Sequence, residues 1–283
     1  MKNTLHTDWL KSLEDSINND NHVMSPHGDK LPGFPSSEWQ IHTVGLSGAE
    51  AINEAYKFME TCVYYFKQSP IWGDPEKRLL DFGTGWGRIA RCFLRDFKGK
   101  NITGSDINPT FLQMCTDNFN FGNFIKSEEM PPLRYISEGE YRHFPALGAD
   151  FIVAYSVFSH LSEEASLAWV TEFSRILNPG GVLAITTRAR WFFDTAEDLK
   201  NKGVTGHAKG LSEMFEDFNK AKESYDAGNV MHATNEIIGD GKHYGETFIP
   251  ESYVRRVLSK TLEVVAFHED EGSHPIIILR KPY

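Results

Sequence analysis

Apolar and polar positions along this chain fall into blocks whose period changes at recognisable points. Leu10, Leu13 and Ile17 recur at helical spacing and predict a short amphipathic helix near the start. Asn18 to Ser37, with Pro26, Gly28, Pro32, Gly33 and Pro35, has no such period and reads as an irregular linker. Ser47-Gly48-Ala49-Glu50 then fits a capping box. The stripe behind it (Ile52, Ala55, Met59, Cys62 or Val63, and Phe66) predicts a longer helix packed across a sheet edge. A second reading of the same extension has it closing over a ligand, with Trp39, Gln40, Thr43 and Gly45 nearby.

From Arg78 the pattern becomes alternation of short apolar runs and helical stripes. Arg78 to Phe82 reads as a buried strand, and Ile89, Ala90, Cys92, Phe93 and Leu94 begin a helix. Asn101 to Asp106 predicts the second strand, Pro109 to Phe119 a helix, and Leu133 to Ser137 the third strand. Ala149 to Tyr155 is a continuous apolar strand. Glu163 to Leu177 predicts a helix capped by Ser162 and stopped sharply at Asn178-Pro179-Gly180-Gly181, before a fifth strand over Val182 to Thr187.

Residues 188 to about 246 break this rhythm. Thr195 to Lys202 and Leu211 to Tyr225 read as two helices, the second with Leu211, Met214, Phe215, Phe218, Ala221 and Tyr225 on one face. Pro250 to Leu258 is a helix opened by proline. Leu262 to Phe267 and Pro275 to Leu279 follow as strands whose short connection makes them antiparallel.

Composition narrows the functional classes. With 40% hydrophobic and 13% aromatic residues, a chain of 283 residues can bury a large core. Its net charge of -10, without a basic patch, argues against nucleic acid as the main substrate. Cys62, Cys92 and Cys115 are odd in number and widely spaced, which points to reduced thiols. No metal-ligand spacing, signal-peptide core or membrane-length apolar run is present, so a soluble, cytoplasmic protein is expected.

The candidate chemistry sits where the first strand ends. Gly83, Gly85 and Gly87 occupy alternate positions, so a strand breaks into a bare-backbone bend and then a helix. The dinucleotide pattern G-x-G-x-x-G fails, because Arg88 stands where the third glycine belongs. Read from Asp81, the run is instead Asp-x-Gly-x-Gly-x-Gly, and Asp106 closes the next strand 19 residues beyond Gly87. An acid at that position accepts hydrogen bonds from ribose hydroxyls.

This pairing resembles the class I S-adenosylmethionine-dependent methyltransferases, over about residues 76 to 283. The resemblance implies an α/β, Rossmann-like, doubly wound sheet of seven strands with an antiparallel last strand. Residues 1-75 would be an N-terminal helical extension, and 76-283 the methyltransferase domain, with a helical lid insertion at about 188-246. It further implies S-adenosylmethionine as cofactor (S-adenosylhomocysteine as product), held by Asp81, Gly83, Thr84, Gly85, Gly87, Asp106, Ile107, Glu138 and Tyr155. The glycines would fold around the methionine part, Asp81 would orient the amino group, and Ile107 would lie against the adenine. Trp86 to Arg88, the run Ser156 to Leu161 and His243 to Gly245 look most like a small-molecule and saccharide subgroup.

A base is needed only when the acceptor is a hydroxyl or a protonated amine. His160 and His243 are the catalytic candidates, His160 also reading as a structural residue at the next helix's start. Arg88, Ser156 and Tyr244 are the substrate-binding candidates, although an arginine in Arg88's place is more often a helix residue facing solvent or a carboxylate. The expected reaction moves a methyl group to oxygen or nitrogen of a small molecule or saccharide. A protein or peptide methyltransferase, a nicotinamide-dependent reductase and a cofactor-binding protein without turnover are the alternatives. The partners expected are a small-molecule substrate and, as an option, a second copy in a homodimer, with neither nucleic acid nor membrane.

Overall fold

The structure is a computed structural model that describes residues 4–18, 23–119, 122–131, 148–239, 241–270 and 272–283. Its elements run, in chain order, as helices α1 (Thr4–Asp15), α2 (Ser37–Val44) and α3 (Gly48–Phe66), strand β1 (Leu79–Phe82), α4 (Arg88–Cys92), β2 (Ile102–Asp106), α5 (Pro109–Asn118), β3 (Asn123–Lys126) and β4 (Ala149–Ala154). Then come α6 (Glu163–Ile176), β5 (Leu177–Thr186), α7 (Phe192–Leu199), α8 (Gly206–Ser212), α9 (Phe218–Asp226), β6 (Met231–Ala233), β7 (Glu246–Phe248), α10 (Glu251–Arg256), β8 (Glu263–His268) and β9 (Ile276–Arg280). Seven strands form one sheet in the order β3-β2-β1-β4-β5-β9-β8, and β6 pairs with β7 separately. The expected doubly wound sheet with a reversed last strand is therefore present. Two compact units divide the chain: residues 1–128 with 149–153, and residues 154–283 with 129–148.

In the first unit β1 pairs in parallel with both β2 and β4, and β2 with β3. All four residues of β1 are buried, as parallel strands covered on both faces require. The stripe on α3 does what its period predicts: Ile52, Ala55, Met59, Cys62, Val63 and Phe66 are all buried. Phe66 lies 4.4 Å from the ring of Phe151 on β4 and 6.1 Å from Phe93. Trp9 on α1 donates its indole N–H to the Cys92 carbonyl at 2.9 Å. The extension thus shares its apolar core with the first half of the sheet.

Three details of this unit depart from expectation. The capping box at Ser47 does not form, since Ser47 makes no side-chain cap bond. Gln40 replaces it: its amide oxygen accepts from the Gly48 N–H at 2.8 Å, while its NH2 donates to the Pro35 carbonyl at 2.7 Å. Gln40 is buried on α2, a helix that begins where the expected linker ends and that no apolar period announced, capped by Ser36. The third strand is Asn123–Lys126 rather than Leu133 to Ser137, a segment outside the described residues along with Glu138. As the outermost strand β3 is only half covered, so it carries no continuous apolar run to mark it.

In the second unit Ser162 caps α6 as predicted, accepting from the Ala165 N–H. The Asn178 to Gly181 run ends that helix, yet belongs to β5 rather than to a loop. Backbone bonds from Gly180 N–H to the Lys281 carbonyl and from Lys281 N–H to the Gly181 carbonyl extend the pairing with β9 through it. Gly180 has φ 79°, and a Cβ there would lie 2.5 Å from the Tyr283 ring. β8 and β9 run antiparallel, as do β5 and β9.

The segment from Phe193 to Phe248 folds around an apolar cluster, with Phe193, Met214, Phe218, Ala221, Tyr225 and Phe248 at its centre. The one helix expected over Leu211 to Tyr225 is two, because Asp217 caps a new helix by accepting from the Asn219 and Lys220 N–H groups. The residues named for its apolar face pack into the cluster nonetheless, four of them buried and Leu211 and Phe215 partly so. Phe193 stacks on Phe248 at 4.0 Å and 13°. Phe193→Ala should destabilise this unit by about 3–5 kcal/mol, the range for emptying an aromatic site in a core. Urea denaturation measures it, and a loss under 1 kcal/mol would contradict this packing.

Candidate active site

The glycine bend has the backbone its sequence requires: φ is 75° at Gly83, 52° at Gly85 and 81° at Gly87. L-residues avoid this region, so a substitution at any of these three glycines carries strain. The Gly83 and Thr84 N–H groups both donate to the Ser105 carbonyl, and the Gly87 N–H donates to the Thr84 carbonyl. Gly85 donates to the Asp106 carboxylate at 2.9 Å, which also accepts from the Asn108 N–H at 2.8 Å. The two features singled out from sequence, bend and acid, are joined by that bond. Cys115 Sγ contacts the Gly85 carbonyl from below at 3.2 Å.

Asp81 is fully buried beneath the bend. Its Oδ2 accepts from the Thr84 hydroxyl at 2.8 Å and from the Ala90 N–H at 3.1 Å, tying β1 to the start of α4. Its Oδ1 is buried with no hydrogen-bond partner among the described residues. Burial pushes the Asp81 carboxyl up to about 7, against the opposing pull of those two bonds. Asp81 and the Thr84 side chain therefore shape the bend from inside.

Other atoms form the open side of the bend. A Cβ built on Gly85 would meet nothing within 4 Å, so this side of the bend is open. Beside it Ile107 is 47% exposed, unusual for a large aliphatic side chain at a strand end. The Asp106 carboxylate has two oxygens and about four lone-pair sites, which leaves acceptor capacity after its backbone bonds. An open glycine backbone, a carboxylate with spare acceptors and an apolar shelf fit an adenosyl group with its ribose diol. On α2, Trp39 is 41% exposed and sits edge-on to Phe111 of α5 at 6.1 Å.

Arg88 must be reassigned. Its guanidinium is buried, donating to the Ala51 carbonyl at 2.9 Å and to the Glu54 carboxylate at 2.6 Å. Those bonds fasten α4 to α3, so the cation expected to meet a substrate is spent on the extension's carboxylate.

The second unit carries a distinct polar cluster. Ser156, directly after β4, is the one non-glycine residue with positive φ (57°) among the described residues, and its N–H donates to the Thr186 hydroxyl at 2.7 Å. Such strain concentrates where a turn is functionally constrained. Tyr155 stands edge-on to His274 at 5.7 Å. His160 bonds through Nδ1 to the Gly245 carbonyl at 2.8 Å, and its ring lies on that of Tyr244 at 5.0 Å and 12°. Because that partner is a carbonyl, Nδ1 carries the proton and Nε2 keeps its lone pair. Burial lowers the His160 pKa from the ordinary value of 6.5, so the ring is neutral at pH 7. Tyr244 is half exposed, whereas His243 is buried and its carbonyl accepts from the Ser162 N–H.

Glu246 and Arg188 complete this cluster and were not singled out from sequence. Glu246 is wholly buried, and Arg188 Nε donates to its Oε2 at 2.5 Å. The available signal was an acid set within Tyr244 to Ile249, an otherwise uncharged run. Among the described residues no group of three or more His, Cys, Asp or Glu could hold a metal ion, and no helix is long and apolar enough to cross a membrane. The three cysteines are buried and form no disulfide.

The Asp81 shift has a testable sign. An acid whose folded pKa is raised stabilises the fold fully below its ordinary value of 3.8, and that contribution is lost as pH rises through about 7. Asp81→Asn should thus melt higher than wild type at pH 8, with the gap closing as pH falls toward 4. Melting curves across that range decide it, and an offset independent of pH would contradict the assignment.

Residues 80–183 match the family described as "Methyltransferase domain". No curated protein matches the chain by sequence. The structure is similar to that of DesVI from Streptomyces venezuelae, at 13% identity and a TM-score of 0.50, covering 88% of this chain and 100% of that one. It is also similar to CalS10, an amino pentose methyltransferase from Micromonospora echinaspora, at 15% identity and a TM-score of 0.50, covering 89% of this chain and 98% of that one. At these identities the likeness establishes the fold. With the family match lying over β1 to β5, the glycine bend bonded to Asp106 and the reversed last strand in place, residues 80–183 carry a methyltransferase domain, set in a fold like that of DesVI and CalS10.

Proposed function

We propose that this methyltransferase acts on a hydroxyl or an amine of a small molecule, with saccharides as the leading class, and that His160 is its general base. One observation carries the reading. His160 is held by a carbonyl on Nδ1, stays neutral at pH 7 and presents Nε2 as a proton acceptor. An acceptor that arrives already nucleophilic, such as a carboxylate or thiolate, would need no such group.

S-adenosylmethionine supplies an electrophilic methyl on sulfur, a good leaving group. The open face of Gly85, Asp106 and Ile107 would hold its adenosyl part. Gly83 and Gly87 would give the bend its shape, and Asp81 and Thr84 would brace it. Tyr155 and Ser156 follow β4 at its carboxyl end, where ligands of open α/β sheets bind. Ser156 and the half-exposed ring of Tyr244 would meet the acceptor. His160 Nε2 would take the acceptor's proton as the acceptor's lone pair forms its bond to the methyl carbon that the bound cofactor would supply, the carbon–sulfur electron pair passing to sulfur. The insertion, with its own core, brings Tyr244 back to His160 and serves as the acceptor's cover.

CalS10 is an amino pentose methyltransferase whose structure has S-adenosylmethionine bound, which supports both the cofactor and the saccharide class. A release assay for S-adenosylhomocysteine across a panel of sugars, amines and acids tests the class. Turnover of hydroxyl or amine acceptors supports it, and turnover of carboxylic acids alone overturns it. With an active acceptor, His160→Gln should lower kcat by about 10²–10⁴-fold, the usual range for a general base, while cofactor affinity stays within a few-fold. In the wild type, kcat should fall as pH drops through a value below 6.5. Unchanged kcat in the variant would rule out the base.

A further inference from the structure

We propose that Glu246 is the positioning residue for His160: it fixes the Nδ1–H tautomer and holds the imidazolium that forms when Nε2 takes the acceptor's proton. The proposal rests on the reading of His160 as the base. It begins from an idle atom. Glu246 is fully buried and its Oε2 is occupied by Arg188, but its Oε1 has no hydrogen-bond partner among the described residues. That oxygen lies 3.5 Å from His160 Nδ1. A buried carboxylate oxygen without a donor is costly, so its retention beside an imidazole calls for a use.

Charge on the ring supplies the use. While His160 is neutral, its single Nδ1–H is committed to the Gly245 carbonyl at 2.8 Å, and Oε1 gains little. Once Nε2 is protonated the ring carries a full positive charge, and the carboxylate beside it stabilises that state. If the ring took the other tautomer, the Nδ1 lone pair would face both the Gly245 carbonyl and Oε1, a doubly repulsive arrangement. The tautomer with Nε2 free is therefore the one that the surroundings allow.

The separation is set by main chain rather than by a flexible side chain. Gly245 N–H donates to the His160 carbonyl, Thr247 N–H to the Ser159 carbonyl, and the Thr247 hydroxyl to the Leu161 carbonyl. Leu161 and Tyr244 also form an antiparallel bridge, and Glu246 itself is paired in β7 with Ala233. Residues 159–161 and 244–247 are thus laced together, and Glu246 cannot move away from His160 without breaking those bonds.

Five groups face the ring, and their signs differ. Glu246 and the Gly245 carbonyl favour the charged form, Arg188 and His207 of α8 oppose it, and Tyr244 stacks on one face. Removing Glu246's charge should move the His160 titration one way, and removing that of Arg188 should move it the other. A role confined to packing would not produce opposite shifts.

The test is titration of the full-length protein labelled with ¹⁵N at histidine, followed by long-range ¹H–¹⁵N spectra, with H160Q identifying the resonances of His160. Wild type should show the Nδ1–H tautomer. E246Q should lower the His160 pKa by about one unit, a tenfold shift in its protonation equilibrium, and populate the second tautomer. R188Q should raise the pKa by a similar amount. A folded E246Q with unchanged pKa and tautomer overturns the proposal. If E246Q does not fold, R188Q decides, since an unchanged or lowered pKa there also overturns it. With a turned-over acceptor, wild-type kcat in H160Q removes the base reading and this proposal with it. A disabled H160Q beside an unmoved titration in E246Q removes this proposal alone.

Discussion

The bond from the Gly85 N–H to the Asp106 carboxylate is the constraint on which the cofactor half depends. It closes a bend that three positive-φ glycines make possible and ties it to the end of the neighbouring strand. Both partners are main-chain-fixed: Gly83 and Thr84 hang from the Ser105 carbonyl, one residue before Asp106, and Asn108 holds the carboxylate from the other side. The carboxylate is consequently oriented before any ligand arrives, and a preoriented acceptor costs less to engage than a mobile one. Asp81 contributes from beneath, and Arg88 and the α3 core hold α4 in place.

The second unit uses the same economy with different parts. Its candidate base is neither anchored by a long flexible side chain nor exposed on a loop. Main-chain bonds between 159–161 and 245–247 set the His160 ring against a carbonyl, an aromatic face and a buried carboxylate paired with arginine. The insertion that carries residue 246 has its own apolar cluster, so the position of Glu246 is supported by folding of that segment.

What could be read from the sequence was what local physics dictates. The glycine spacing, the acid closing the second strand, the buried stripe of α3 and the final antiparallel pair each follow from turn chemistry or from periodicity within a dozen residues. What could not be read depended on partners and positions that no motif or period marks, some of them distant. Gln40 displaced Ser47 as the cap of α3 because it folds back from α2. Asn178 to Gly181 stayed in a strand because β9 supplied partners about a hundred residues later. The third strand hid because an edge strand needs little apolar surface, and Asp217 split a helix whose apolar face was nonetheless recognised correctly. Glu246 meets His160 across 86 positions, with no motif to announce it. Arg88 shows the reverse case, a motif-adjacent cation whose partner is a structural carboxylate.

The central claim is that the bend at Gly83 to Gly87 and the Asp106 carboxylate form one adenosyl-binding surface. Isothermal calorimetry of the full chain with S-adenosylhomocysteine, in parallel with a nicotinamide dinucleotide, tests it most directly. The account predicts saturable 1:1 binding of the former that is lost in Asp106→Ala, and no heat with the latter. Binding of the dinucleotide instead, or equal affinity for S-adenosylhomocysteine with and without the Asp106 carboxylate, would contradict it.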